Sequence, residues 1–273
     1  MDIFILYFCL GAIAGIVSGL FGLGGGVVIV PILIFTFSSQ YFSDDILTHM
    51  AIGTSLATIM VTSISSVAAH HKRGLVIWPV VLWLSPGILF GAVLGASFAI
   101  SVAGLFLQLY FGVFLCLVSL AMTSSIKTSL NITMPGSTGK TVVGSIIGFF
   151  ASLFGVGGGS LSVPYLSWTQ MPIKNAIATS AACGLPIAFS STIVYTLRGM
   201  GNDQLPENSL GFVYLPAFFG IIFASALFAK LGAKLAHQLP AKALKKYFSL
   251  LLLAIGVYFI WQNSLLIFMD LNA

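Results

Sequence analysis

Charge is what this sequence most lacks. Only 6% of its 273 residues are Asp, Glu, Lys or Arg, while 58% are hydrophobic. A soluble domain carries roughly 25% charged residues. So few ionic groups cannot coat a water-facing surface, and the solvent for most of this chain is lipid. Acids are absent from the apolar runs altogether, which argues against a carboxylate proton relay or a carboxylate-based sodium site within the bilayer. The three cysteines, Cys9, Cys116 and Cys183, all fall in apolar stretches and form no CxxC or Cys/His metal spacing. There is no P-loop, and the glycines lack the spacing of a dinucleotide fingerprint. No Ser/His or paired-Asp arrangement shares one membrane depth. The sequence thus implies no enzyme, metal or cofactor. The net charge of +5 comes from scattered residues between apolar runs, so nucleic acid is not an expected partner.

What the sequence has in abundance is long apolar runs, at 3–37, 46–69, 75–100, 102–122, 141–170, 175–198, 208–232 and 243–268. A crossing helix needs about 20 apolar residues, and the intervening segments are too short for a soluble domain. The first twenty residues resemble a signal peptide only superficially, because Asp2 stands where a basic start is expected. They also share residues with the second half, so they are read as part of the fold.

The chain repeats itself. Residues 15–33, GIVSGLFGLGGGVVIVPIL, match residues 148–166, GFFASLFGVGGGSLSVPYL, at 10 of 19 positions. The match continues with Ala51-Ile-Gly-Thr-Ser55 against Ala176-Ile-Ala-Thr-Ser180, and with Arg73-Gly74 against Arg198-Gly199. Order and spacing persist too far for coincidence. The organisation read from this is a first membrane repeat over 1–125, a linker over 126–138 and a second repeat over 139–273.

Within each repeat a triple glycine interrupts an apolar run. Each glycine costs about 1 kcal/mol against alanine in a helix interior, and glycine tolerates positive φ. A proline follows where a new helix would start. The arm after the break is too short to cross, so 3–37 and 141–170 are expected to be re-entrant helix–turn–helix hairpins. Charge supports this. If both hairpins return to their own side, one face collects Lys72, Arg73, Lys127, Lys140, Lys174, Lys230, Lys234, Lys242, Lys245 and Lys246. The other keeps Arg198 and the acids Asp2, Asp44, Asp45, Asp203, Glu207 and Asp270. That split obeys the positive-inside rule. The expected fold is therefore all-α and polytopic: two inverted repeats, each a re-entrant hairpin plus three transmembrane helices. Both termini are expected outside the cytoplasm, in a cell (inner) membrane.

Irregular backbone at membrane depth survives only when buried in protein or lining a cavity. The tips at Gly24, Gly25, Gly26 and at Gly157, Gly158, Gly159 are thus the candidate site. Each offers free N–H groups at the start of a helix, where the dipole is positive. Two facing tips suit a small oxyanion. The competing reading is close helix packing. Thr54 and Ser55, answered by Thr179 and Ser180, lie beside the tips, and Thr58 and Thr62 extend the first pair as a stripe. These hydroxyls could serve an oxyanion or act as interhelical glue. Ser160 stands where the first repeat has Val27, so the site can be asymmetric. Arg73 and Arg198 end equivalent helices as entrance cations or as interface anchors. His70 and His71 fall at the water boundary. Gly87, Gly91, Gly95 and Ala99 form a small-residue ridge for packing, with the other repeat as a candidate partner. Trp78, Trp83, Trp168 and Trp261 read as interfacial anchors.

The paired FGLGGG…VP and FGVGGG…VP motifs, with the Thr-Ser pairs and Arg-Gly ends, resemble the TauE/SafE sulfite exporter family over nearly the whole chain. The resemblance implies a transporter with duplicated four-segment halves that moves sulfite, a sulfonate or a related sulfur anion. It carries binding roles to Gly24, Gly25, Gly26, Thr54, Ser55, Gly157, Gly158, Gly159, Thr179 and Ser180. The partners expected are that anion and the lipid bilayer, with a homodimer left open. An anion channel is the alternative in kind.

Overall fold

A computed structural model describes residues 2–21, 25–123, 136–236 and 241–271. Its helices are α1 (Asp2–Phe21), α2 (Gly26–Ser39), α3 (Asp44–Lys72), α4 (Trp78–Ser101), α5 (Gly104–Thr123), α6 (Ser137–Leu153), α7 (Gly159–Trp168), α8 (Ile173–Gly199), α9 (Leu215–Ala236) and α10 (Ala241–Leu271). One small antiparallel ribbon, β1 (Ser209–Leu210) with β2 (Val213–Tyr214), precedes α9. The protein is all-α and polytopic. Among the described residues five helices, α3, α4, α5, α8 and α10, are long and apolar enough to cross a membrane. In α9 the apolar stretch described is Leu215–Ala229, shorter than those five.

The element order has the period expected from the repeat. A broken pair (α1–α2, α6–α7) is followed each time by three further helices. Pairing between halves follows the same order: α1 packs most extensively on α9, α6 on α4, α5 on α10 and α3 on α8. Lys127 and most of the expected linker lie outside the described residues.

Small residues make the closest of these seams. A Cβ placed on Gly87 would run into the Thr141 carbonyl, and one on Gly91 into the Ser145 carbonyl. Gly95 is likewise pressed against Phe149 and Ser152. The glycine ridge of α4 therefore packs against α6, in the other half of the chain. The α1–α9 seam uses the same device, with Gly11 against Ile221, Gly15 against Ser225 and Gly220 against Tyr7. Backbones that approach so closely gain dispersion contacts that bulkier side chains would forbid, which matters in lipid where no hydrophobic force drives helices together.

The ends of the helices sort into two groups. At one end the Tyr7 hydroxyl donates to Gln40 Oε1 at 3.0 Å, so the start of α1 and the end of α2 lie together. Thr48, one turn into α3, donates to the Gly104 carbonyl at the start of α5. The same end holds the exposed Asp44, Asp45, Arg198, Asp203 and Glu207. At the other end Asn175 Nδ2, at the start of α8, donates to the Leu75 carbonyl at 3.0 Å. Thr141, at the start of α6, donates to the Trp83 carbonyl near the start of α4. Lys72, Arg73, Lys174 and Lys246 are exposed there.

One expectation needs correcting. Pro31 and Pro164 are each the sixth residue of their helices, α2 and α7, rather than near the first position. The first helical amides need no acceptor, but a sixth-position proline removes an i→i−4 bond. Each short arm therefore contains its own weak point.

Candidate functional site

The two glycine breaks come together. A Cβ on Gly26 would lie 2.7 Å from the Gly155 carbonyl oxygen and 2.9 Å from Val156 Cα. Two positions at the breaks require glycine by conformation: Gly25, with φ 72°, caps the start of α2, and Gly155, with φ 67°, lies in the turn out of α6. Gly24 lies outside the described residues. The Gly25 carbonyl accepts from Val28 N and Ile29 N, and the Gly158 carbonyl from Ser162 N, so both helices begin with ordinary first turns. Their first amides have no acceptor within the helix, and the dipole adds partial positive charge at each start. Gly158 is tightly held: an added Cβ would meet the Ser180 carbonyl oxygen at 2.8 Å and Gly184 N at 2.9 Å.

Around the breaks, the Thr-Ser pairs take distinct roles. Thr54 Oγ1 accepts from Tyr214 N at 2.9 Å, and Thr179 Oγ1 accepts from Ile77 N at 3.1 Å. Tyr214 immediately precedes α9 and Ile77 immediately precedes α4, so the two bonds are counterparts. Each ties a residue in one half of the chain to the entrance of a helix in the other. Each threonine uses its oxygen as acceptor and retains its proton for donation. Ser55 has committed its proton, donating to the Gly155 carbonyl at 2.9 Å. Ser180, its counterpart, is fully buried and has no hydrogen-bond partner.

The rest of the predicted constellation divides cleanly. Ser160 donates to the Gly157 carbonyl at 3.2 Å, which stiffens the second break from within. Thr58 donates to the Ser55 carbonyl, and Thr62 to the carbonyls of Thr58 and Ile59. The outer part of the threonine stripe thus satisfies itself on its own helix. Arg73 and Arg198 are exposed at opposite ends of the bundle, away from the breaks. His71 Nδ1 accepts from Trp78 Nε1 at 3.1 Å, an interfacial contact.

Ser162 escaped the sequence reading. It lies on α7 one turn beyond Gly158, fully buried and without a partner. Its counterpart in the first repeat is Ile29, and that polar-for-apolar exchange was the available signal. Buried hydroxyls without partners cost free energy. Ser162 and Ser180, both without partners, both belong to the second half. On the first-repeat side Gly26 is pressed against the buried Ile59. An open groove elsewhere, lined by Phe98, Tyr110, Phe114, Phe149 and Phe154, is apolar and offers an anion nothing.

Comparison with known proteins points to a family of membrane transporters. The profile of the family described as Sulfite exporter TauE/SafE matches residues 7–259. A "Probable membrane transporter protein" of Haemophilus influenzae is 37% identical over 262 residues, covering 93% of this chain and 96% of the relative. YunE of Bacillus subtilis, named in the same words, is 29% identical across 95% of this chain and 98% of its own. A further relative with that name, from Methanocaldococcus jannaschii, is 28% identical over 93% and 94% of the two chains. No solved structure matches significantly.

Proposed function

We propose that this chain, which belongs to the sulfite exporter TauE/SafE family, carries a small sulfur oxyanion such as sulfite or an organosulfonate outward by alternating access. That it is a multi-pass membrane transporter follows from the family, the similarly named relatives and the apolar helices. The family is one of transporters rather than enzymes.

The observation that carries the substrate reading is the meeting of two glycine breaks beside buried hydroxyl protons that nothing in the protein accepts. Amides and hydroxyls donate, and a tetrahedral or pyramidal oxyanion accepts in several directions at once. Thr54, Thr179, Ser180 and Ser162 supply the hydroxyls, and the starts of α2 and α7 supply amides and dipole. A site of neutral donors suits a carrier, which must bind and let go on opposite sides.

Alternating access needs two arrangements of similar energy, and a duplicated, inverted fold supplies them in the secondary transporters where it occurs. Inversion is supported here by the sorting of helix ends: α3 begins at the acidic end and α8, its counterpart, at the basic end. With the positive-inside rule, the basic end is cytoplasmic, both termini are outside and the membrane is the inner one. A cysteine placed beside Asp203 should be labelled by an impermeant maleimide from outside intact cells. Labelling only from the cytoplasmic side overturns the orientation.

The substrate test is a panel of sulfite, thiosulfate, sulfate and a short alkyl sulfonate, applied to the purified protein. Sulfite or the sulfonate should raise the melting temperature, and Gly158→Ala should abolish the rise, because its Cβ would enter the space between α7 and α8. In proteoliposomes, flux should saturate at modest turnover. Conductance above about a million ions per second would mark a channel. No stabilisation by any anion, or equal stabilisation of the variant, refutes the site.

A further inference from the structure

The two ends of the bundle are built differently, although the halves that form them are repeats. α2 runs 14 residues and its counterpart α7 runs 10. Seven residues of α3 precede Ala51, whereas three residues of α8 precede Ala176. Because α2 and α7 start at matching glycines, the first half has about one extra turn on each helix, and both turns stand at the acidic end. The connection into α9 is also the longer one, Met200–Tyr214 against Arg73–Ile77 ahead of α4. All three additions share one end of the molecule.

There they pack together over the glycine contact. Phe37 lies on the added turn of α2, Ile46 and Leu47 lie on that of α3, and Phe42 falls between the two helices. The Tyr214 ring is 5.5 Å from Phe42, 5.7 Å from Phe37 and 5.9 Å from Tyr7 between centroids, and Phe37 and Phe42 are 5.3 Å apart. The β1–β2 ribbon is wedged between α3 and α8. Its tip, Gly211 with φ 56°, is seated on the Thr196 carbonyl, and a Cβ on Gly53 would lie 2.6 Å from the Phe212 carbonyl oxygen. Phe212, Val213 and Tyr214 are buried, while their counterparts ahead of α4, Leu75, Val76 and Ile77, are half-buried. The acidic end thus has a thick cover and the basic end a thin one.

The thick cover is suited to lifting. Aromatic rings meeting edge to face can part without stranding polar groups. Gln40 Nε2 and Ser209 Oγ are buried in the closed cover without partners, a cost that exposure to water would relieve. Its attachment to the candidate site is direct, since Tyr214 N donates to Thr54 Oγ1. We propose that the ribbon and the added turns of α2 and α3 form a gate across the acidic end. In the arrangement described here the gate is shut, and solute reaches the glycine contact from the basic end. Its place in a transport cycle rests on the carrier reading of the preceding section: lifting the gate is the step that exposes the contact to the acidic side.

The test reads access rather than anion binding or flux, so its failure and that of the carrier reading are distinguishable. In full-length C9A/C116A/C183A protein, Ser180→Cys supplies a single thiol beside the glycine contact. Membrane vesicles of each orientation are treated with 2-sulfonatoethyl methanethiosulfonate, which does not cross lipid, and Asp203→Cys in a parallel preparation identifies the acidic face. Ser180→Cys should react from the face opposite Asp203 and stay protected from the Asp203 face. Reaction from the Asp203 face with the cover intact overturns the proposal, and so does protection from both faces. Neither result depends on altering the cover. Adding Phe42→Ala should then raise the rate from the Asp203 face about tenfold, the scale of losing aromatic contacts of this kind, and leave the opposite face unchanged. An unchanged rate, or an equal rise from both faces, likewise overturns it.

Discussion

Ser55 and Ser180 occupy the same place in the two repeats and behave differently. Ser55 spends its proton on the Gly155 carbonyl, while Ser180 is buried with no partner. Their neighbours Thr54 and Thr179, by contrast, do the same work, each accepting a backbone N–H ahead of a helix in the other half. The contrast separates two uses of one duplicated motif. The threonines hold the halves together, and a bond that serves both halves equally is retained in both. The serines have diverged, leaving one half with spare donors. Function in a duplicated membrane protein is more readily sought where the repeats differ than where they agree.

The comparison can be broken most forcefully at the seams. Gly91→Leu on the α4–α6 seam and Gly15→Leu on the α1–α9 seam should both abolish folded, monodisperse protein. Overpacking costs typically 1–3 kcal/mol per site, and here the obstacle is backbone, so about 3 kcal/mol or more is expected. Size-exclusion profiles of the two variants should fail alike, and survival of one would show that the seams are unequal.

A smaller effect is expected from the threonines. Thr54→Val strands the Tyr214 N–H and Thr179→Val strands that of Ile77. A stranded buried donor costs about 1–3 kcal/mol. Denaturation in detergent should show losses of similar size for both variants, and a large disparity would refute the equivalence of the two bonds.

The serines give the smallest change in stability and the sharpest contrast. Ser55→Ala should cost about 1 kcal/mol through its lost hydrogen bond. Ser180→Ala removes a hydroxyl without a partner and should leave the anion-free melting temperature unchanged or raised. The same substitution should reduce the stabilisation conferred by sulfite. If Ser180→Ala melts lower and still responds fully to the anion, the donor assignment fails.

How much of this was legible beforehand depends on the kind of information each feature needs. The glycine ridge at Gly87, Gly91 and Gly95 could be read as a packing face because i+4 spacing is a property of the helix alone. That its partner would be α6 required the pairing of distant segments. The Thr-Ser pairs stood out by repetition, but repetition could not tell Ser55 from Ser180. Which hydroxyl keeps a free proton depends on a carbonyl one hundred positions away. Ser162 was hidden because its first-repeat counterpart, Ile29, breaks the match.

By itself, then, the sequence determined the solvent, the helical class and the duplication. Those follow from composition and periodicity, which act locally and add along the chain. The meeting of Gly26 with Gly155, the exchange of threonine bonds between halves and the unshared donors were decided only in three dimensions. Hydrogen bonds are directional and short, and a buried donor is paired or free according to which backbone the fold brings within about 3 Å of it.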